Sequence, residues 1–307
     1  MEIRDTFFFK YVRETIRRFQ CRINPEKEVD RCYYSAFHKH WDSKDPKDLI
    51  EKIFWLELYA DTTLWSKCAD KYRVREYIEE LGLLNYMPKL YGHWYSIKDI
   101  DYETLPNSFV IKSNNGCATV KVVKDKSSLD IRKLNKELWQ WLHLPFGAEN
   151  AQMHYWPIKP CIIAEELLSN DFTQISPNSL VDFKLWCING TPQFFLITYN
   201  RVNMHVYVQC YDTEWKPKPE YLINNISHIV YNQNDELLPK PACLDEMLSL
   251  AKRISAPFPE VRVDFYVVNN KPVIGELTFT TAYGYFNREI YESMGEMIDL
   301  SKIERIK

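Results

Sequence analysis

The chain has 307 residues, is 46% hydrophobic and 26% charged, and carries a formal net charge of −3. That is ordinary globular composition, enough for one large domain or a few small subdomains around a substantial core, and it gives no electrostatic case for a nucleic-acid partner. No apolar run approaches the roughly 20 residues that span a bilayer, and none of the 8 cysteines forms a C-x-x-C pair, which argues against zinc and redox motifs. Several cysteines sit in apolar strand-like runs and no secretory signal is recognisable, so a reducing cytoplasm is the expected location.

To about residue 65 the chain reads as helical. Phe7-Phe8-Phe9 precedes Lys10, Arg13, Arg17, Arg18 and Arg22, which suits an amphipathic helix. Such a helix either lies on a membrane surface or packs its aromatic stripe on the core with its arginines in solvent; the second arrangement is the expectation. Asp45 before Pro46 reads as an N-cap and first helical residue, with Leu49, Ile50, Ile53, Phe54 and Leu58 following at helical spacing. A further helix is expected from Asp70, as N-cap, to near Gly82, burying Val74, Tyr77, Ile78 and Leu81. Lys71, Arg73 and Arg75 fall near its start, where a solvated face is the plain reading.

Strands begin after Pro106. Residues 109–112 form a short strand ending in Lys112, followed by the polar loop 113–119 and a second strand at 120–123. A lysine beside a small loop can cradle phosphate, the lysine as a point charge and the loop through backbone N–H groups, but an ordinary hairpin with an exposed lysine fits as well. Residues 130–143 form a helix with Ile131, Leu134, Leu138 and Leu142 in register. The buried run 160–168 contains Glu165 and Glu166, which mark either a strand end meeting water or a hinge contacting a purine and a ribose. Strands at 181–188 and 193–198 flank Asn189-Gly190, a strong hairpin signal. Lys184 lies inside the first of them on the face of Asp182, as an open face or a phosphate ligand would require. Residues 245–255 form the next helix.

The hairpin 261–280 carries the most chemistry. Val261, Val263, Phe265 and Val267 alternate with Arg262, Asp264 and Tyr266, and Val273, Leu277 and Phe279 alternate with Ile274, Glu276 and Thr278. A loop centred on Asn270 sets Asp264 opposite Glu276, and a one-residue slip would turn Leu277 and Phe279 to the wrong face. Opposed carboxylates repel unless a cation lies between them, and oxygen-only ligands suit Mg²⁺ held with a phosphate; a solvated face with Arg262 neutralising Asp264 is the alternative. The sequence contains no G-x-S-x-G, Walker A or G-x-G-x-x-G motif, and its histidines lack metal-ligand spacing. Hairpins outnumber regular βαβ alternation, so the fold class is α+β with mainly antiparallel sheets.

Taken in order, the blocks DKYRVREYI at 70–78, LPNSFVIKSNNG at 105–116, KPCIIAEELL at 159–168, DFKLWCINGTPQF at 182–194 and FPEVRVDFYVVNNKPVIGELTFT at 258–280 resemble the ATP-grasp superfamily, and more closely its TupA-like branch, named for teichuronopeptide biosynthesis. The resemblance implies an ATP-grasp fold of two α+β subdomains clamping ATP: a helical region at 1–69, then the ATP-grasp domain at 70–307 with its lid at about 105–165. It implies that Lys71 and Lys112 contact ATP phosphates, and that loop 113–119, with Asn115 and Gly116, closes over them. Glu165, Glu166, Leu167 and Leu168 match the hinge on adenine and ribose. Lys184 and Arg262 match catalytic basic positions facing the triphosphate or acyl phosphate, and Arg201 is a further cation of that kind. Asp264 and Glu276 match the Mg²⁺-binding carboxylates, with Thr278 standing where many relatives have asparagine.

The activity so implied is an ATP- and Mg²⁺-dependent carboxylate–amine ligase working through an acyl phosphate, joining an amino acid or amine to a carboxylate such as a uronic acid of a surface polysaccharide. A phosphotransferase acting on a hydroxyl acceptor and a non-catalytic nucleotide-binding protein are the rivals, the latter suggested by Thr278 and a lid loop poorer in glycine than in relatives. Expected partners are a small-molecule or glycan carboxylate and an amine, with no nucleic acid and no transmembrane segment. The acceptor pocket is expected from the helical N-terminus and Tyr283-Gly284-Tyr285-Phe286.

Overall fold

The computed structural model describes residues 6–202, 205–223, 229–231, 237–281 and 284–306. Helices α1 (Phe7–Ile23) and α2 (Pro25–Phe37) meet at Asn24, whose side chain caps α2 at Lys27 while Pro25 takes the first helical position. α1 is oriented against expectation. Glu14 packs inward with Arg13, Arg17 and Arg18 half-buried around it, whereas Arg22 and the apolar stripe face solvent. Buried Glu14 accepts the N–H groups of Ala148 (2.9 Å) and Glu149 (3.3 Å), and Arg18 donates to the Trp156 carbonyl (3.3 Å). The polar side of the helix thus satisfies backbone groups of the 148–156 segment, a role that apolar side chains cannot fill.

Helix α3 (Leu49–Tyr59) buries Leu49, Ile50, Ile53, Phe54 and Leu58 as its spacing requires. Its N-cap is Asp48 rather than Asp45, because Asp48 and Glu51 form a reciprocal capping box and Pro46 stays outside the helix. α4 (Thr63–Ala69) leads to α5 (Val74–Glu80). The helix expected from Asp70 begins at Val74. Asp70 instead folds a tight turn, its carboxylate accepting the N–H groups of Tyr72 (2.9 Å) and Arg73 (3.2 Å).

A four-stranded antiparallel sheet follows, in the order β1 (Leu90–Trp94), β4 (Ile162–Glu165), β2 (Phe109–Ser113), β3 (Val120–Val123). β1 escapes sequence reading because all five of its residues are half-buried, so it has no alternation. α6 (Ile131–His143) packs on this sheet through Leu134 and Leu138, whereas Ile131 in its first turn stays 42% exposed.

The second sheet runs β10 (Lys271–Thr278), β9 (Glu260–Val268), β5 (Asp182–Ile188), β6 (Thr191–Val202), β7 (His205–Asp212), β8 (Ile229–Tyr231), antiparallel except for the β7–β8 pair. The apolar face of β9 and β5 packs on α7 (Leu244–Ser255). On the other face Trp186, Phe194 and Leu196 pack with α3 and α8 (Arg288–Glu296) at one end. The rest of that face carries Asp182, Lys184, Arg262, Asp264, Glu276 and Thr278.

The β9–β10 pairing differs from a symmetrical hairpin about Asn270. The turn is the two residues Asn269-Asn270, both with positive φ (52° and 58°), as a type I′ turn requires. Continued unchanged, that register would set Glu276 opposite Val263. A bulge at Gly275 inserts one residue, so Ile274 still faces Phe265 while Glu276 faces Asp264 and Thr278 faces Arg262. Ile274, Leu277 and Phe279 are all fully buried, so Val273, not Ile274, points outward before the bulge.

Glu260, at the start of β9, is fully buried with neither carboxylate oxygen hydrogen-bonded, and burial pushes its pKa well above the ordinary carboxylate value despite the nearby charge of Arg262. A carboxyl raised on folding favours the fold when protonated; that contribution is complete below about pH 4.3 and is lost as pH rises through the folded-state pKa. Glu260→Met is therefore expected to stabilise the protein by about 1–2 kcal/mol at pH 8 and by less at pH 4. Urea unfolding at the two pH values measures this, and an equal or negative change at both would contradict it.

Candidate active site

A cleft of about 1200 Å³ opens between the two sheets. Val110, Lys112, Val120 and Val122 of the small sheet form its roof, with Gly116 to Thr119 of the connecting loop. Glu165 to Leu168 cross its back, and Asp182, Lys184, Arg262, Asp264, Tyr266, Glu276 and Thr278 form its floor. Of the residues expected from sequence, Lys71, Lys112, Gly116, Glu165, Glu166, Leu167, Leu168, Lys184, Arg201, Arg262, Asp264, Glu276 and Thr278 line this one cleft. Asn115 does not; it is buried beside it.

The floor is a chain of charge-assisted hydrogen bonds. Arg262 grips Asp264 with two nitrogens, Nε to Oδ1 at 2.6 Å and Nη2 to Oδ2 at 2.7 Å, and Nη2 also donates to Thr278 Oγ1 at 3.0 Å. Lys184 donates to Asp264 Oδ2 at 2.9 Å. Lys71, brought in by the turn after Asp70, donates to Glu276 Oε1 at 2.9 Å and to the Gly116 carbonyl at 3.1 Å, tying the floor to the loop. Arg262 rests over the Trp186 ring, 5.4 Å from its centroid, so its plane is fixed from below. The cation between the two opposed carboxylates is thus supplied by the chain itself, from Lys184 and Arg262 on one and Lys71 on the other.

Burial alone would raise the carboxyls of Asp264 and Glu276, but the charges of Arg262 and Lys184 hold the first below its ordinary value, and Lys71 holds the second below its own. Lys71 and Arg262 are lowered by burial and raised further by Glu276 and Asp264, with a net rise. All four groups are therefore charged at neutral pH. Tyr266 is held well above the usual phenol range by the Asp182 carboxylate and then by burial.

At the back of the cleft, Glu165 lies between Lys112 (Nζ–Oε2 2.5 Å) and Arg75 (Nη2–Oε1 2.8 Å). Burial would raise its pKa, but these two cations hold it down. Glu166 is exposed, and its N–H donates to the Lys89 carbonyl at 2.9 Å. Six cations line the cleft, Lys71, Lys112, Lys124, Lys184, Arg201 and Arg262, against the five carboxylates Glu165, Glu166, Asp182, Asp264 and Glu276, with Arg75 behind Glu165. The excess is positive and suits an anionic ligand.

The loop after β2 is fixed at its base and tight at its tip. Fully buried Asn114 donates to Asp70 (2.9 Å) and to the Lys159 carbonyl (3.0 Å) and accepts the Cys161 N–H (2.8 Å), while its own carbonyl accepts the Lys71 N–H (2.9 Å). A Cβ on Gly116 would lie 2.3 Å from Thr119 Oγ1 and 2.6 Å from Ser113 Oγ, so any side chain there would have to displace these two mutually hydrogen-bonded hydroxyls. Ala118 adopts φ 58°, a left-handed position that glycine would fill without strain.

Among the described residues no group of three or more His, Cys, Asp and Glu could by itself hold a metal ion. Asp264 and Glu276 face each other in register at the cleft floor with Thr278 one alternation further on. Two carboxylates beside open space for phosphate oxygens are the donor set of Mg²⁺ bound together with a nucleotide rather than of an all-protein cage, so these residues fit that ion.

Sequence reading missed Arg75, Asn114, Gln152 and Tyr266. Arg75 had a signal, since it lies four residues after Lys71, and it holds Glu165 from behind the cleft without lining it. Gln152, whose amide donates to Thr280 Oγ1 at 2.8 Å and lines the cleft, had none. Ile50, Ile53 and Phe54 of α3 and Gly284 and Tyr285 also line the cleft, while Phe286 is buried in the core. Tyr283 lies outside the described residues.

A family model described as TupA-like ATPgrasp matches residues 51–299. Among curated proteins no sequence matches the chain. The chain is similar to several solved structures. D-alanine–D-alanine ligase from Bacillus anthracis complexed with ATP is 14% identical with a TM-score of 0.48, over 78% of this chain and 67% of that one. The ADP complex of purK, an N5-carboxyaminoimidazole ribonucleotide synthetase, is 15% identical with a TM-score of 0.43, over 76% and 51%. L-amino acid ligase from Bacillus licheniformis is 14% identical with a TM-score of 0.38, over 73% and 43%, so the chain spans about half the length or less of these last two.

Proposed function

The chain belongs to the TupA-like ATP-grasp family, and from that premise we propose that it is an ATP- and Mg²⁺-dependent ligase that joins a carboxylate to an amine. The observation that carries the reading is the cleft floor, where Lys71, Lys184 and Arg262 are held on Asp264 and Glu276. Among the described residues no histidine lines the cleft to act as a base for a serine or cysteine nucleophile. Phosphoryl transfer needs positioned charge rather than a protein nucleophile, and this site supplies positioned charge.

In this reading Lys112 and Lys71 take the β- and γ-phosphates, and backbone groups of Glu165 to Leu168 face adenine. Glu166 meets the ribose, because Glu165 is already held by Arg75 and Lys112. Mg²⁺ held at Asp264, Glu276 and Thr278 would neutralise charge on the phosphate oxygens. An oxygen of the substrate carboxylate attacks the γ-phosphorus as the bond to the β–γ bridging oxygen breaks, giving ADP and an acyl phosphate. Arg262 and Lys184 stabilise the charge that develops there. The amine nitrogen then attacks the acyl carbon, phosphate leaves with the C–O bond electrons, and the nitrogen loses a proton to give the amide. Loop 113–119, tied to Lys71, excludes water from the acyl phosphate.

The proposed acid is a uronic acid of a surface polysaccharide, a choice that rests on the family alone. The cytoplasm is the proposed compartment, supported by eight free cysteines. Incubation with ATP, Mg²⁺, a panel of uronic and other acids and hydroxylamine is expected to release ADP and an acyl hydroxamate. A stable phosphate ester would replace the ligase by a phosphotransferase, and ATP binding without turnover on the whole panel would favour a nucleotide-binding role without catalysis.

A further inference from the structure

Among the described residues, the outward stripe of α1 is left exposed. Phe8 (75% exposed), Val12 (38%), Ile16 (52%), Phe19 (66%) and Ile23 (69%) recur at spacings of three and four, so they form one straight ridge along the helix. Phe9 (38%) and Tyr11 (41%) widen it. Exposed Arg22 borders the ridge, while Arg13, Arg17 and Arg18 are half-buried lower on the helix, against Glu149 (2.7 Å), Glu28 (3.3 Å) and the Trp156 carbonyl (3.3 Å). Glu14 is the only acid on the helix, and it is buried.

We propose that α1 docks the protein onto an anionic lipid surface, lying in the plane of the interface. The ridge is convex, the helix carries five cations against one acid, and the long stem of exposed Arg22 can lie along acyl chains while its head meets an anionic headgroup. Among the described residues no helix is long and apolar enough to cross a membrane, and α1, with five cations in 17 residues, lies on a bilayer rather than through it. A second copy is the poorer occupant on two counts. The five ridge side chains offer roughly 500 Å², short of the ~800 Å² per partner of a stable interface. An antiparallel pairing about Ile16 would also set Lys10 against Arg22 of the copy, with no exposed acid on the helix to separate them.

The opposite side of α1 packs on the 148–156 segment, and Asn150, Gln152 and Tyr155 of that segment line the cleft. Docking through the ridge therefore sets this wall of the cleft one chain segment away from the bilayer. The docking inference stands whether or not the ligase reading holds.

Flotation of the full chain with vesicles of phosphatidylcholine alone, and of phosphatidylcholine mixed with phosphatidylglycerol, tests it. Binding to the mixed vesicles at low salt, weakened at high salt, is expected. Phe8→Asp, Ile16→Asp and Phe19→Asp should each weaken it about tenfold or more, with circular dichroism, melting temperature and ATP binding unchanged because these side chains are exposed. Arg22→Gln should reduce the preference for the anionic vesicles. No flotation with the mixed vesicles overturns the proposal, as does equal binding to both vesicle types. A dimer in light scattering that Ile16→Asp dissolves, without vesicle binding, assigns the ridge to a second copy instead.

Discussion

Asp264→Asn is expected to lower the unfolding free energy at pH 7 by about 3 kcal/mol and to cut turnover by about 10²–10³-fold. The carboxylate is buried between the Arg262 fork at 2.6 Å and 2.7 Å and Lys184 at 2.9 Å. Asparagine keeps the shape but leaves two cations facing a neutral amide, and removing one partner of a buried pair costs more than removing both. The deficit depends on pH with a definite sign. The folded-state pKa of Asp264 lies below its ordinary value, so the wild-type advantage is complete above about pH 4 and is lost as pH falls through the folded-state value. Guanidinium unfolding of both proteins at pH 7 and at pH 3 measures the gap. Equal stability at pH 7, or a gap that widens in acid, would show that this pair does not hold the floor together.

Gly275→Val is expected to cost about 100-fold in turnover through geometry alone, since no group touching the cleft chemistry is removed. A Cβ at this position would lie 2.8 Å from Tyr266 Cε2 and 3.3 Å from the Asp264 carbonyl. Overpacking there costs about 1–3 kcal/mol if the bulge survives. If the strand escapes the clash by losing the bulge, Glu276 slides from Asp264 to Val263 and Lys71 loses its partner at 2.9 Å. Steady-state kinetics with thermal unfolding tests both branches, and a variant with wild-type rate and wild-type melting temperature would mean that the bulge does not set the register of the site. Gly275→Ala should show the same effects, smaller.

The same hairpin shows how far sequence reading reached. The apolar alternation correctly paired Asp264 with Glu276, but through a symmetrical loop about Asn270 that does not exist. The two-residue Asn269-Asn270 turn and the bulge compensate each other. The signal for the bulge was present, since a glycine inside a strand pattern often marks one. The pairing of Glu165 with Arg75 and Lys112 was not legible, because Arg75 lies 90 positions away in the chain. α1 was misread because a helical wheel has two faces. The pattern located the stripe correctly, but only the 148–156 segment, with backbone N–H groups in need of an acceptor, decided that Glu14 rather than Phe8 would face inward.

By itself the sequence determined the identities and faces of the charged residues in 182–184 and 262–278, because strand alternation leaves them one side only. It also determined the order of the blocks that carry the family. The tertiary structure decided what no local pattern encodes: that Lys184 is held by Asp264 from the neighbouring strand, that Lys71 reaches over to Glu276 from a separate turn, and that the apolar ridge of α1 is left outside. The physical reason is common to all three. Periodicity reports which residues share a face, whereas the partner of a face is set by which distant backbone groups and charges must be satisfied when the layers close.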